Sequence, residues 1–146
     1  MARPNLIAST WPLVIVEWPA ELDVHDIRDH FAELADLLDV RRGPLVVVVD
    51  GTEARMLHST LRMRTAEGIS AITARAVSRM LGVAYVAPSV VVRGAITAIH
   101  WVARPPFPSI TMPTRPEALD WARARLRAAG LEIAEARTSA SGPVSR

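Results

Sequence analysis

The chain has 146 residues, half of them hydrophobic and 22% charged, with a net charge of +2. That length suits one domain able to bury roughly two-thirds of its unfolded surface, and that composition excludes a disordered or fibrous chain. The lack of cysteine excludes a disulfide framework, a thiol nucleophile and a thiolate metal site, so a reducing, cytoplasmic setting is the simplest expectation.

All seventeen basic residues are arginine and there is one tyrosine, so almost nothing titrates between histidine and arginine. A small positive excess then persists to high pH, which explains a pI of 10.3 without a basic patch. No nucleic-acid partner is expected. The apolar stretch Leu13–Val16 is short and runs straight into Glu17 and Pro19, unlike a signal peptide. The longest apolar segment, Val90–Ala103, falls short of the ~20 residues of a membrane span and carries Arg93 and His100, so a soluble protein without membrane insertion is expected.

Asn5–Ala8 reads as a short edge strand, and Leu13–Trp18 as a strand ended by Pro19. Asp23 is an N-cap with Asp26 three residues on, at the positive end of the helix that follows. In that helix Val24, Ile27, Phe31, Leu34 and Leu38 form an apolar stripe, opposite Asp26, Asp29, Glu33 and Asp36. Arg41-Arg42-Gly43-Pro44 stops it.

Leu45–Val49 follows: five apolar residues, four of them β-branched, closed by Pro44 and Gly51. A strand apolar on both faces belongs in the middle of a sheet covered by helices on both sides. Ligands and regulatory chemistry gather where such strands end, here at Asp50-Gly51-Thr52. A loop to about Thr60 leads to a helix predicted over Leu61–Leu81, with Leu61, Ile69, Ile72, Ala76 and Met80 facing inward and Gly82 ending it. Gly68 inside this helix costs up to ~1 kcal/mol relative to alanine, which points to close packing against a neighbour.

Val83–Ala87 is a short buried strand, and Pro88-Ser89 opens a third helix, Val90–Ala103, broken by Arg104-Pro105-Pro106. Pro108–Met112 is a last strand whose proline suits a sheet edge. Thr114 and Glu117 form a capping box before a final helix with Ala118, Leu119, Ala122, Leu126 and Ala129 on one face. Residues 137–146 are polar and patternless and are expected to be mobile, leaving 1–136 as a single domain. The alternation predicts right-handed crossovers and an α/β domain of two-layer type. It has a four- to five-stranded, mostly parallel sheet, about four helices, and one or two N-terminal strands adding antiparallel edges.

This order resembles the STAS superfamily of sulfate transporters and anti-sigma-factor antagonists, and looks closest to its bacterial SpoIIAA-like branch. The resemblance is carried by Leu45–Asp50, the helix–strand–helix passage through Val83–Val86, and Phe107-Pro108-Ser109-Ile110 leading to Pro116-Glu117-Ala118-Leu119-Asp120-Trp121. It covers about residues 11–130. In anti-sigma-factor antagonists the helix after the central strand opens with an aspartate-serine-serine-glycine-like motif, and phosphorylation of a serine there controls partner binding. Counting from Asp50, the matching stretch is His58-Ser59-Thr60-Leu61, with histidine and leucine in place of the aspartate and glycine. The resemblance implies a non-catalytic regulatory or protein-interaction module with a vestigial phospho-switch. Thr60 takes the phosphoacceptor position, with Ser59 beside it. Asp50, His58, Ser59, Thr60 and Arg62 are the candidate phosphoacceptor or small-anion site, where the helix N-terminus, Arg55, Arg62 and Arg64 would hold a phosphate. The plainer alternative is that Ser59 or Thr60 caps the helix.

Other constellations are weaker. His25 with Asp29, and Asp26 with His30, have i,i+4 spacing and are expected to be ion pairs on a solvated face, with no further ligand for a metal. Asp50 suits a loop cap through its own backbone as well as a carboxylate of a site. Asp50-Gly51-Thr52 lacks the glycine spacing and lysine of a P-loop. No catalytic set, metal or cofactor is expected.

The third helix is apolar almost all round. With Ile99 at the centre of the inner face beside Val92, Ala95, Ile96, Val102 and Ala103, the residues Val90, Gly94, Thr97 and Trp101 face outward. They form a candidate interface for a homodimer or a protein partner, unless the 104–107 loop or the tail covers them. The alternative function is a carrier of a small apolar or lipid-like ligand, as in the related CRAL-TRIO architecture, or a small enzyme with a pocket near Asp50, His58 and Thr60. An apolar pocket favours the carrier, an exposed Thr60 the regulatory module, and convergent Asp50 and His58 the enzyme.

Overall fold

The computed structural model describes residues 2–55 and 57–132; the tail expected to be mobile lies outside the described residues. Its elements in order are β1 (Asn5–Ile7), β2 (Leu13–Glu17), α1 (Val24–Val40), β3 (Leu45–Asp50), α2 (Ser59–Ala76), β4 (Met80–Val86), α3 (Val90–Ala103), β5 (Ser109–Met112) and α4 (Arg115–Ala128). The five strands form one sheet in the order β1-β2-β3-β4-β5. Of the one or two N-terminal strands expected as antiparallel edges, β1 alone runs antiparallel, and β2 pairs parallel with β3. The proline-preceded β5 is an edge, as its sequence predicts.

The alternating faces of the central strands explain why β3 reads as continuously apolar. Val14, Val16, Leu45, Val47, Val83 and Tyr85 pack under Leu34 and Leu38 of α1 and Ile72 and Ala76 of α2. Leu13, Ile15, Val46, Val48, Ala84 and Val86 meet Ala118, Ala122 and Leu126 of α4. The expected two-layer arrangement therefore gains a third layer, the single helix α4, because the strands' second apolar face must also leave water.

Asp23 caps α1 in a reciprocal box with Asp26, each side chain accepting from the other's backbone N–H at 2.9 Å. At α4 the Thr114 hydroxyl accepts from the Glu117 N–H at 3.4 Å and donates to the Glu117 carboxylate at 2.7 Å, a variant of the predicted box. Gly68 lies against Phe31 of α1, whose ring an added Cβ would overlap, so the close approach inferred from that glycine is present.

The α2 boundary differs from the sequence reading. Ile72, Ala76 and Met80 keep helical spacing, but the helix stops at Ala76 and Met80 opens β4 opposite Leu45. Arg79 anchors the turn: its guanidinium donates to the carbonyls of Leu38 (3.0 Å), Gly43 (2.9 Å) and Arg41. Gly82, expected to end the helix, is instead a buried strand residue facing the Trp121 ring of α4, where an added Cβ would come within 2.6 Å of the indole. Sheet pairing has overridden local helical periodicity here.

His30 is a second correction. It is 3% exposed, on the inner face of α1 with Ile27 and Leu34, not on the solvated face. Its ring meets the edges of Trp18 and Phe31 at centroid distances of 5.9 and 4.8 Å. His25, the other histidine of that group, is exposed and shares a 2.9 Å hydrogen bond with Arg28, not with Asp29.

Candidate functional site

The carboxyl ends of β3 and β4 meet the 51–58 loop, α2 and α3, as strand-end geometry predicts. Gly51 makes the close junction: its N–H donates to the Val86 carbonyl at 2.8 Å, and a Cβ would stand 2.8 Å from that same oxygen. Only glycine lets the chain leave β3 this tightly against β4.

Asp50, 8% exposed, is fully engaged. One carboxylate oxygen accepts the Thr52 N–H at 2.9 Å and the Thr52 hydroxyl at 2.5 Å. The other accepts from Arg115 at 3.1 Å, and the same guanidinium nitrogen donates to Glu17 at 2.7 Å. Burial opposes ionisation of Asp50, but the Thr52 donors and the Arg115 charge outweigh it and hold the carboxyl below its usual pKa. Glu17 is lowered too, chiefly by its bonds to Arg115 and Asn5, and Arg115 is raised, chiefly by Glu17. Asp50 thus clasps the ends of β2 and β3 to the start of α4, and caps its loop as the plainer sequence reading had it. Arg115 escaped that reading, although a cation in the first turn of a helix is disfavoured by the helix dipole and so signals a specific partner.

The other candidates are placed as follows. His58 occupies the N-cap of α2 without a side-chain capping bond, so neither Ser59 nor Thr60 caps the helix; both are exposed in its first turn. Arg62 donates to the Leu57 carbonyl at 2.6 Å, Arg64 pairs with Glu67 at 3.1 Å, and Arg55 lies 3.9 Å from Glu21. The three arginines expected to hold a phosphate each have a partner already. The Asp50 carboxylate bonds to Thr52 and Arg115, and His58 is not among its partners. Among the described residues no group of three or more His, Asp or Glu side chains is placed to hold a metal ion.

The strand ends instead border an apolar cavity of about 70 Å³ between the sheet, α2 and α3. Trp18, Val49, Leu57, Ile69, Ile96 and Ile99 are among its walls; Asp50, His58 and Thr60 are not. Its two principal polar side chains satisfy each other: His100 Nε2 and the Tyr85 hydroxyl are 2.8 Å apart, with the rings edge-on at 5.1 Å. Burial lowers the pKa of His100 and raises that of Tyr85, so both stay neutral at physiological pH. The sequence signal for this pair was the single tyrosine in an otherwise aliphatic strand.

α3 closes the cavity from outside. Val92 and Ile99 are buried and Ala95 and Ile96 half-buried, as expected, but Val102 is exposed. The helix packs against α2 and reaches the sheet through the His100–Tyr85 bond and Ile96. Val90 and Trp101, 74% and 76% exposed, look outward with Gly94 and Thr97, and a Cβ on Gly94 would touch nothing. Among the described residues no helix is long and apolar enough to cross a membrane.

No protein-family model matches the chain, and no curated protein matches it significantly. Among solved structures it is similar to an uncharacterised protein of the DUF3478 family with a SpoIIAA-like fold from Shewanella loihica PV-4. The TM-score is 0.58 at 17% sequence identity, over 82% of this chain and 91% of that one. The chain therefore has the SpoIIAA-like, or STAS-like, fold that its element order resembles.

Proposed function

We propose that this chain is a non-catalytic STAS-like module that binds a small apolar molecule at the carboxyl ends of β3 and β4. The observation that carries this reading is the apolar cavity beneath α3: among the described residues its polar lining side chains are Arg55, Thr65, which donates to the Leu61 carbonyl, and Tyr85 and His100, bonded to each other. A concave, apolar, largely pre-formed space is what small-molecule recognition requires. Asp50 and Glu17, the carboxylates at the ends of β3 and β2, are both engaged by Arg115, and Asp50 also by Thr52, which argues for binding over acid–base chemistry. The regulatory role and a cytoplasmic location belong to the same proposal, the latter on the lack of cysteine. Titration calorimetry with p-xylene tests it. Binding to the native chain and its loss in Ala95→Met, which fills the cavity, are expected; no binding to the native chain refutes it.

A second reading is self-association through the outer face of α3. It is favoured by the exposed Val90 and Trp101 flanking Gly94, whose open backbone lets an identical helix approach closely. Sedimentation equilibrium that finds a dimer, dissociated by Trp101→Glu, supports it; a monomer at high concentration refutes it. A phospho-switch at Ser59 or Thr60 has in its favour that both hydroxyls are exposed at a helix N-terminus. Intact-mass measurement of protein from its native host tests it, and unmodified chain in every growth condition excludes it.

A further inference from the structure

A second cavity, of about 80 Å³, lies deeper, between the sheet and the inner faces of α1 and α2. Trp18, Val49, Thr65, Ile69 and Tyr85 line both cavities, so the two spaces share a wall made of side chains, not backbone layers. The deeper one differs in one respect. His30 and Thr73 line it, and His30 Nδ1 and Thr73 Oγ1 are buried without a hydrogen-bond partner among the described residues. Leaving a buried polar atom unsatisfied is costly, native structures hold few such atoms, and here two border one space.

The chemistry of those two atoms selects a ligand group. His30 is enclosed by Trp18 and Phe31 and, by burial and the nearby Arg3 charge, stays neutral near pH 7. A neutral imidazole nitrogen and a hydroxyl can each take part in a neutral hydrogen bond. An ionised head would bring an uncompensated charge into an apolar interior and is strongly disfavoured. Size sets a second limit. Each cavity is roughly half of the ~150 Å³ that accepts benzene in an apolar protein interior. With the side chains of the shared wall displaced, the two spaces together suit a small ring or short chain and not a long acyl chain.

We infer that the bound molecule is a small apolar compound with one uncharged hydrogen-bonding group, which enters the deeper cavity and bonds His30 Nδ1 and Thr73 Oγ1 while its apolar body fills the space beneath α3. This rests on the binding reading above and adds the polar anchor and the ligand class. The anchor, unlike the apolar walls, would discriminate between molecules of equal shape.

The near-isosteric pair p-cresol and p-xylene tests it, with calorimetric affinity and methyl NMR shifts of Val47 and Ile72, which line only the deeper cavity, as readouts. The native chain is expected to bind p-cresol about tenfold more tightly than p-xylene, the equivalent of one buried hydrogen bond. Thr73→Val and His30→Leu, which keep apolar bulk, should remove that preference while retaining p-xylene. Equal affinity for both probes in the native chain, or a preference unchanged in both variants, overturns the anchor and leaves the cavity-binding reading standing. Binding that shifts neither Val47 nor Ile72 also overturns it. Failure of both probes to bind the native chain removes the anchor and the cavity-binding reading together.

Discussion

Replacing His30 with leucine should change how the protein's stability depends on pH. In the fold this imidazole is 3% exposed, and burial, aided by the Arg3 charge, pushes its pKa down to about 4 from an ordinary 6.5. Between those values the unfolded chain binds a proton that the folded chain refuses, so stability falls as pH falls, and the loss is complete below the folded pKa. Integrated from pH 7 to pH 5, the single histidine removes about 2 kcal/mol of stability. Glu17 and Asp50, whose pKa values are lowered in the fold, also lose stability toward acid, but they do so equally in both proteins. Urea unfolding followed by circular dichroism at pH 7 and pH 5 measures the difference. The native chain should lose about 2 kcal/mol more than His30→Leu on going to pH 5. At pH 7 the two should lie within about 1 kcal/mol, since leucine fills comparable space without an unsatisfied nitrogen. Parallel losses in the two proteins would refute the argument, because they would mean that the ring protonates as freely in the fold as in water.

Gly68→Ala should destabilise by about 1–3 kcal/mol despite the better helix propensity of alanine, because its methyl overlaps the Phe31 ring. In a Phe31→Ala background the same change should stabilise, and an equal effect in both backgrounds would show that the two residues do not touch. Arg115→Met leaves Asp50 and Glu17 side by side without their cation. Because Arg115 and Glu17 are partly exposed, the expected loss is about 1–2 kcal/mol at pH 7, below that of a fully buried pair. The loss should shrink at pH 4 as the carboxylates protonate, and a pH-independent loss would count against the ion pair.

The strongest sequence signals were those in which one residue's environment repeats along its own element. The unbroken Leu45–Val49 run marked a strand covered on both faces, and α1 and α4 supply the two covers. The stripe through Ile27, Leu34 and Leu38 and the apolar run from Val90 to Ala103 located α1 and α3, the latter to its end residues. Gly68 announced a close approach, and Phe31 is the neighbour. Readings failed where a periodicity of four crossed into a strand, as at Met80, and where a polar residue among acids was assigned to water, as at His30.

Asp50-Gly51-Thr52 shows where the division falls. The sequence by itself determined that a buried strand ends there and that an aspartate at its end caps the loop, since both follow from residues within a few positions of one another. Only the tertiary structure decided that the carboxylate is also taken by Arg115, 65 residues away, and that the space beside it is lined by apolar side chains from β3, β4, α2 and α3. Element type is written in local spacing, because backbone geometry repeats every two or 3.6 residues. A void and a distant ion pair have no such period. They exist because three layers pack incompletely around a few large side chains, and that depends on every element at once.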